Sequence, residues 1–203
     1  MGTLHPRIYL TSQSPRYRDS LKQIGVSFEV LLLRNDPRRG SVIDETRGTS
    51  ESTPDYLERI CCAKAIEGRN AALMRGLRTL PVLAADSTLE LDGKLIGKPH
   101  DQSESADILR KLSGRQHQLT SAVAVAFQNR VAFRLTTTRV TFATLNEETI
   151  GLYVIGNEER DRAGAYAIEG LGGAFVTRIE GSHSALFGLP LFETVELLLN
   201  SQE

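Results

Sequence analysis

The chain has 203 residues, a formal net charge of -1 and 40% apolar residues, with no tryptophan. That length suits one domain, or one sheet with two lobes, and the apolar content is enough for a sizeable core. A near-neutral balance argues against a general nucleic-acid or membrane-surface binder, and no apolar run approaches the ~18 residues of a membrane span. The opening Met-Gly-Thr-Leu-His-Pro-Arg lacks a signal-peptide core, and Pro6 and Arg7 fit myristoylation of Gly2 poorly. Cys61 and Cys62 are neighbours, so they offer neither a disulfide framework nor a metal-ligand spacing, and a reducing cytoplasm is the expected home.

Residues 7–11 read as a first strand. Ser12-Gln13-Ser14-Pro15-Arg16-Tyr17-Arg18 follows, where Ser14 suits an N-cap and Pro15 the first helical position. The helix should run to about Ile24 and stop at Gly25. Arg16 and Arg18 in its first turn oppose the helix dipole, which makes sense where an anion meets the exposed N–H groups. Of the two, Arg18 better suits an ordinary solvated charge. Residues 28–33 form a second strand. The polar stretch 34–52 is a long loop whose Asp36, Asp44, Glu45 and Glu51 should mostly be solvated.

Thr53 should cap a helix from 54 to about 74 with an inward stripe of Leu57, Ile60 and Cys61. Lys64 lies two turns on from Leu57 and shares that stripe. A lysine there either snorkels to water or meets an anion. The apolar run 82–85 reads as a buried strand ending in Asp86, followed by a strand pair turned at Asp92-Gly93 and by Lys98, pinned by Pro99. An acid and a base joined by a hairpin at the end of a core strand form a candidate site for chemistry.

A helix follows over 101–112, capped near Asp101 or Ser103 and closed at Gly114. Residues 116–127 and 131–143 read as two long strands joined at Gln128-Asn129-Arg130, with His117 a surface or hydrogen-bonded histidine rather than a catalyst. Asn146 caps a helix to about Ile155. Residues 161–173 crowd glycine and alanine around Tyr166 and Glu169, a backbone suited to close approach by a ligand or another chain segment. A strand at 175–179, a loop at 181–184 and a last helix from Pro190 to about Asn200 complete the chain. Interleaved helices and strands, several of them long and adjacent, indicate an α/β protein with a mixed twisted sheet flanked by helices in a single domain over 1–203. Ligands in such folds sit beyond the carboxyl ends of strands, where Asp86, Arg16 and the Ser12 loop are expected.

Ser12-Gln13-Ser14-Pro15-Arg16, Lys64-Ala65, Ala85-Asp86-Ser87, Gly97-Lys98-Pro99, Leu112-Ser113-Gly114, Arg162-Ala163-Gly164-Ala165-Tyr166 and Gly188-Leu189-Pro190 stand in the order found in Maf proteins. The chain resembles these nucleoside triphosphate pyrophosphatases from its first strand to its last helix. The resemblance implies a two-lobed, Maf/ITPase-like α/β fold with the nucleotide in a cleft. It implies hydrolysis between the α and β phosphates, a divalent cation (Mg²⁺ or Mn²⁺) and often a homodimer. Asp86 matches the family's proposed general base, Lys64 and Lys98 its two site lysines, and Arg16 the arginine after Ser-Pro. Ser12 and Ser14 would line the phosphate end. Glu45, at the family's usual distance before Tyr56, would hold the metal with Asp86, while Asp36 falls in an inserted segment, 34–42.

The chemistry of the residues agrees with that resemblance. Cleaving a triphosphate needs cations on the leaving pyrophosphate and an aligned water. Arg16, Lys64 and Lys98 supply the first, and Asp86 can orient or deprotonate the second. Four positions depart from the pattern: Tyr17 for a second arginine, Ser87 for threonine, Arg162 for lysine, and Glu169 for the glutamine usual in the group that acts on dTTP and UTP. Glutamate occurs there in the 7-methyl-GTP group, and an ionised carboxylate only accepts hydrogen bonds. Arg16, Ala165-Tyr166 and Leu171-Gly172-Gly173 nonetheless resemble the pyrimidine group. The alternatives are 7-methyl-GTP hydrolysis and a non-catalytic role in septum formation.

Overall fold

The computed structural model describes residues 7–33, 43–156 and 162–201. The N-terminal hexapeptide, the inserted segment 34–42 with Asp36, and Asp161 lie outside them. Strand β1 (Arg7–Leu10), helix α1 (Pro15–Gln23), β2 (Ser27–Val30), α2 (Thr53–Met74), β3 (Val82–Leu91), β4 (Lys94–Ile96) and α3 (Gln102–Leu112) follow in order. Then come β5 (Gln116–Phe127), β6 (Arg130–Phe142), α4 (Glu147–Ile155), a 3-10 turn (Leu171–Phe175), β7 (Val176–Glu180), α5 (His183–Phe187) and α6 (Leu191–Asn200). The strands form one mixed seven-stranded sheet in the order β2-β1-β3-β5-β6-β7, with β4 paired to β3. β1 runs parallel to β2 and β3, β4 pairs antiparallel with β3, and β7 pairs antiparallel with β6. No helix of the described residues is long and apolar enough to cross a membrane.

Several expected details change. The run after Val82 does not break at Asp86: β3 continues for 10 residues, so Asp86 lies within a strand rather than beyond its end. What changes at Asp86 is burial, from fully buried at 82–85 to half-buried at 86–88. The hairpin turn is where expected, with φ of 51° at Asp92 and 77° at Gly93. Helix α2 is capped by Ser52, not Thr53, and the Ser52 hydroxyl accepts from the Asp55 N–H. Ser14 occupies the N-cap of α1 without a side-chain cap bond. Asp101 caps α3. The loop expected at 181–184 gives way at His183 to the short α5 (His183–Phe187).

The chain divides into two compact units. The first draws on Met1–Ser87, Ser121–Thr136 and Gly188–Glu203. Its core follows the two-residue strand period. Ile8, Leu10, Leu83, Val123 and Val125 turn one way and pack with Leu21 of α1 and Leu197 of α6. Ala84, Ala122, Ala124 and Ala126 turn the other way, onto Leu57, Cys61 and Ala65 of α2. Alanine on that face lets α2 lie close to the strands. Gly68 marks the tightest approach, since a Cβ there would meet Thr11 Cγ2 at 2.4 Å and Val82 Cγ1 at 2.7 Å. Close seating brings Lys64, one turn before Gly68, within reach of β3.

The second unit comprises Thr88–Thr120 and Thr137–Phe187. Its core packs Leu109 and Leu112 of α3 and Ile150 and Tyr153 of α4 with Leu89, Val140, Phe142, Tyr166 and Phe175. The glycine-rich segment closes on its own chain: a Cβ on Gly173 would meet the Ile168 carbonyl at 2.4 Å, and one on Gly172 the Ala167 carbonyl at 2.7 Å. His117, expected at the surface or hydrogen-bonded, is 1% exposed, and its Nε2 joins Tyr166 Oη at 2.9 Å. The surface alternative fails because the His117 ring packs edge-on against Phe142 and Tyr166, both in the second unit's core.

Candidate active site

Lys64 reaches the sheet side of α2 and meets two carboxylates. Its Nζ donates to Asp86 Oδ2 at 2.8 Å and lies 3.1 Å from Glu45 Oε1. The lysine side chain is 17% exposed, against 30% for Asp86 and 54% for Glu45. So Lys64 does not snorkel; it answers anions that the protein itself supplies. Burial works against its charged form, but the pairs with Asp86 and Glu45 outweigh that and raise its pKa. Asp86 is held at both ends, because Oδ1 accepts from the Ser87 backbone N–H at 2.9 Å.

Tyr17 closes the buried side of this cluster. Its phenol is linked to the Ser87 side chain by a hydrogen bond, and burial, then the Asp86 charge, push its pKa up to about 12. A neutral phenol therefore stands where the Maf pattern has a cation. Thr11 N donates to the Leu83 carbonyl at 3.0 Å, tying the start of the Ser12 loop to β3. Ser12 Oγ accepts from the Ser14 N–H at 3.1 Å, which orders the turn into α1. Ser12, Ser14 and Arg16 are half-buried. Arg18, expected to be solvated, is also half-buried, and its Nε has no hydrogen-bond partner among the described residues.

Two residues of the site's surroundings escaped sequence reasoning. Arg59 grips Glu51 through Nε at 2.7 Å and Nη2 at 2.8 Å, and Glu51 is not a solvated charge. The Arg59 hydrogen bond, followed by one from the Gly48 N–H, lowers the Glu51 pKa to about 2. Loops have no periodicity from which such a pairing is read; the available signal was an arginine two turns past the cap of a helix that follows an acidic loop.

The remaining expected site residues belong to the second unit. Lys98 is exposed, just past β4. The Gly164 N–H donates to the Gly97 carbonyl at 3.2 Å, so the segment bearing Lys98 is tied to the loop that leads to Glu169. Arg162 Nη1 lies 2.7 Å from Glu169 Oε1, so part of the Glu169 charge is already engaged.

A profile of Maf-like proteins matches residues 7–201. The chain belongs to the Maf family. Its relatives include proteins named dTTP/UTP pyrophosphatase from Nitrosomonas europaea, 46% identical over 94% of this chain and 92% of that protein; from Nitrosospira multiformis, 45% identical over 99% and 97%; and from Escherichia coli K12, 44% identical over 95% and 92%. A solved structure, that of the Staphylococcus aureus Ham1 protein, matches 68% of this chain and 72% of its own at 16% identity and a TM-score of 0.44, a distance at which it carries no argument. Against the Maf expectation of a divalent cation, no three His, Cys, Asp or Glu side chains converge among the described residues. Two do: Asp86 Oδ2 and Glu45 Oε1 meet on one ammonium. Two hard carboxylate oxygens fit Mg²⁺ or Mn²⁺ where substrate phosphates and waters complete the shell.

Proposed function

We propose that this Maf protein hydrolyses dTTP and UTP between the α and β phosphates, giving the monophosphate and pyrophosphate. The observation that carries the reading is the Asp86–Lys64–Glu45 cluster, in a chain 44–46% identical to proteins named for that reaction. Asp86, fixed by Ser87 and Lys64, orients the attacking water and takes its proton. Lys64, Arg16 and Lys98 balance charge on the triphosphate, while Ser12, Ser14 and the first turn of α1 line its phosphate end. Glu45 and Asp86 would hold the divalent cation, which supplies charge neutralisation at the phosphates. The same reading carries a homodimer in the cytoplasm.

Glu169 favours a second reading, 7-methyl-GTP, because a carboxylate accepts from paired N–H donors. Its pairing with Arg162 and the names of the relatives favour the pyrimidines. Pyrophosphate release from dTTP, UTP, CTP, GTP and 7-methyl-GTP tests both, and preference for 7-methyl-GTP reverses the substrate assignment. Asp86→Asn is expected to lower release about 10²–10⁴-fold, as loss of a general base does. An unchanged rate would rule out the mechanism and favour a non-catalytic role.

A further inference from the structure

The backbone around Glu45 is held by two side chains of α2. Tyr56 Oη donates to the Glu45 carbonyl at 3.1 Å. Arg59 Nη1 donates to the Asp44 carbonyl at 2.8 Å, and its Nη2 to the Thr46 carbonyl at 3.0 Å. Three successive carbonyls, of 44, 45 and 46, are thus taken from one helix. The same guanidinium holds both oxygens of Glu51 at the far end of the loop, and Glu51 Oε2 accepts from the Gly48 N–H at 3.0 Å. Asp44 Oδ1 in turn accepts from the Thr46 N–H at 2.9 Å, tightening the turn that presents Glu45. The guanidinium carbon sits 5.6 Å from the Tyr56 ring centroid, so the two clamping side chains also support each other.

We propose that Arg59 and Tyr56 are positioning residues for the hydrolysis: they fix the backbone on either side of Glu45 and so deliver its carboxylate to Lys64. An isolated exposed ion pair would do little here. A fork that makes four hydrogen bonds to two ends of one loop is different, because its geometry, not its charge, sets the backbone. The side chain of Glu45 is 54% exposed, so packing does not hold it; the carbonyls behind it do. All four Arg59 bonds named above end on the loop, and its effect on the reaction therefore runs through Glu45.

The inference rests on the hydrolase reading, and the test separates the two. Arg59→Lys, which keeps the charge but not the fork, is compared with Glu45→Gln and with the double variant, in the full chain with dTTP. Arg59→Lys is expected to lower kcat about 10- to 100-fold, the scale of a misplaced catalytic group, with KM little changed. Added to Glu45→Gln it should cost nothing further; losses that multiply, or an unchanged kcat in Arg59→Lys, overturn the proposal. Tyr56→Phe, which removes only the hydroxyl, should lower kcat less, in the same direction. Amide hydrogen exchange reads the clamp without any activity: residues 44–51 should exchange faster in Arg59→Lys while the amides of β3 do not, and unchanged loop exchange also overturns it. Failure of the hydrolase reading looks different, since the parent protein would then release no pyrophosphate, or would release it equally well as Asp86→Asn.

Discussion

The two units treat a polar side chain drawn in from solvent in opposite ways, half-buried Lys64 in one and buried His117 in the other. In the first, Lys64 keeps its charge, and two carboxylates gather on it. In the second, His117 has no charged partner among the described residues, and burial pushes its pKa down to about 4, so it is neutral at pH 7. Its ring meets Phe142 edge-on at 4.9 Å and its Nε2 joins Tyr166 Oη, while Nδ1 has no hydrogen-bond partner among the described residues. Taking a charge out of water costs several kcal/mol, and a buried ion pair rarely returns more than an apolar replacement would. A fold therefore has little reason to keep Lys64 with two acids for stability. A neutral imidazole beside a phenol is much cheaper and suits a core. The contrast supports the proposal that the charged cluster serves chemistry, while the neutral pair packs the core.

The largest break in that contrast is Lys64→Met. It leaves Glu45 and Asp86 facing each other without a counter-charge and removes a cation from the triphosphate. Pyrophosphate release should fall about 10²–10³-fold, as when one preorganised charge partner is lost. All three side chains are partly open to solvent, so the stability cost should be only about 1 kcal/mol, or about 2–4 °C in Tm for a chain of this size. A thermal melt beside the activity assay decides: a collapse of Tm would make the cluster structural after all.

The neutral pair breaks with pH. The His117 pKa in the folded state, about 4, lies below the ordinary 6.5. Between those values the unfolded chain binds the extra proton, so stability falls as pH drops. The penalty is absent above pH 6.5 and grows to about 3 kcal/mol near pH 4, the 2.5-unit difference at 1.36 kcal/mol per unit. In His117→Gln, urea unfolding should lose this slope. Glu51 in the first unit behaves the opposite way on acidification: its pKa is lowered from 4.5 to about 2, so its contribution is present above 4.5 and is lost only as pH falls toward 2. Unfolding curves across pH 6.5–4 thus report the second unit's buried imidazole before the first unit's clamp responds.

How much of this could be read from the sequence depends on whether a residue's place follows a period. Lys64 was legible because helical spacing put it under Leu57, and the Asp92-Gly93 turn because its dipeptide suits left-handed backbone. Asp86 stood out as the first charge after a buried run, although the strand continues through it. The cap of α2 was missed by one residue because Ser52 and Thr53 are adjacent hydroxyls and both suit the position. For His117 the hydrogen-bonded form of the expectation is the one the structure shows, with Nε2 joined to Tyr166 Oη in the core; its polar neighbours left the surface form equally open. The clamp of Arg59 on residues 44–51 had no periodic signal at all, since a loop's path is set by the very hydrogen bonds in question.

The smallest expected effect is at Glu169, which sharpens the comparison from the second unit's side. If the charged residues of the first unit serve the common triphosphate, discrimination among bases falls to groups elsewhere. Glu169 is paired with Arg162 at 2.7 Å, and its side chain is 36% exposed, so breaking the pair should leave Tm nearly unchanged. Glu169→Gln replaces an acceptor-only carboxylate with an amide that donates and accepts, as the O4 and N3–H edge of uracil or thymine requires. It also releases Arg162. Relative kcat/KM for dTTP and UTP over 7-methyl-GTP should then rise, by less than about tenfold, because one hydrogen bond gained among solvated partners is worth about 1 kcal/mol. No change in the ratio would remove Glu169 from base selection and leave its pairing with Arg162 as a surface ion pair.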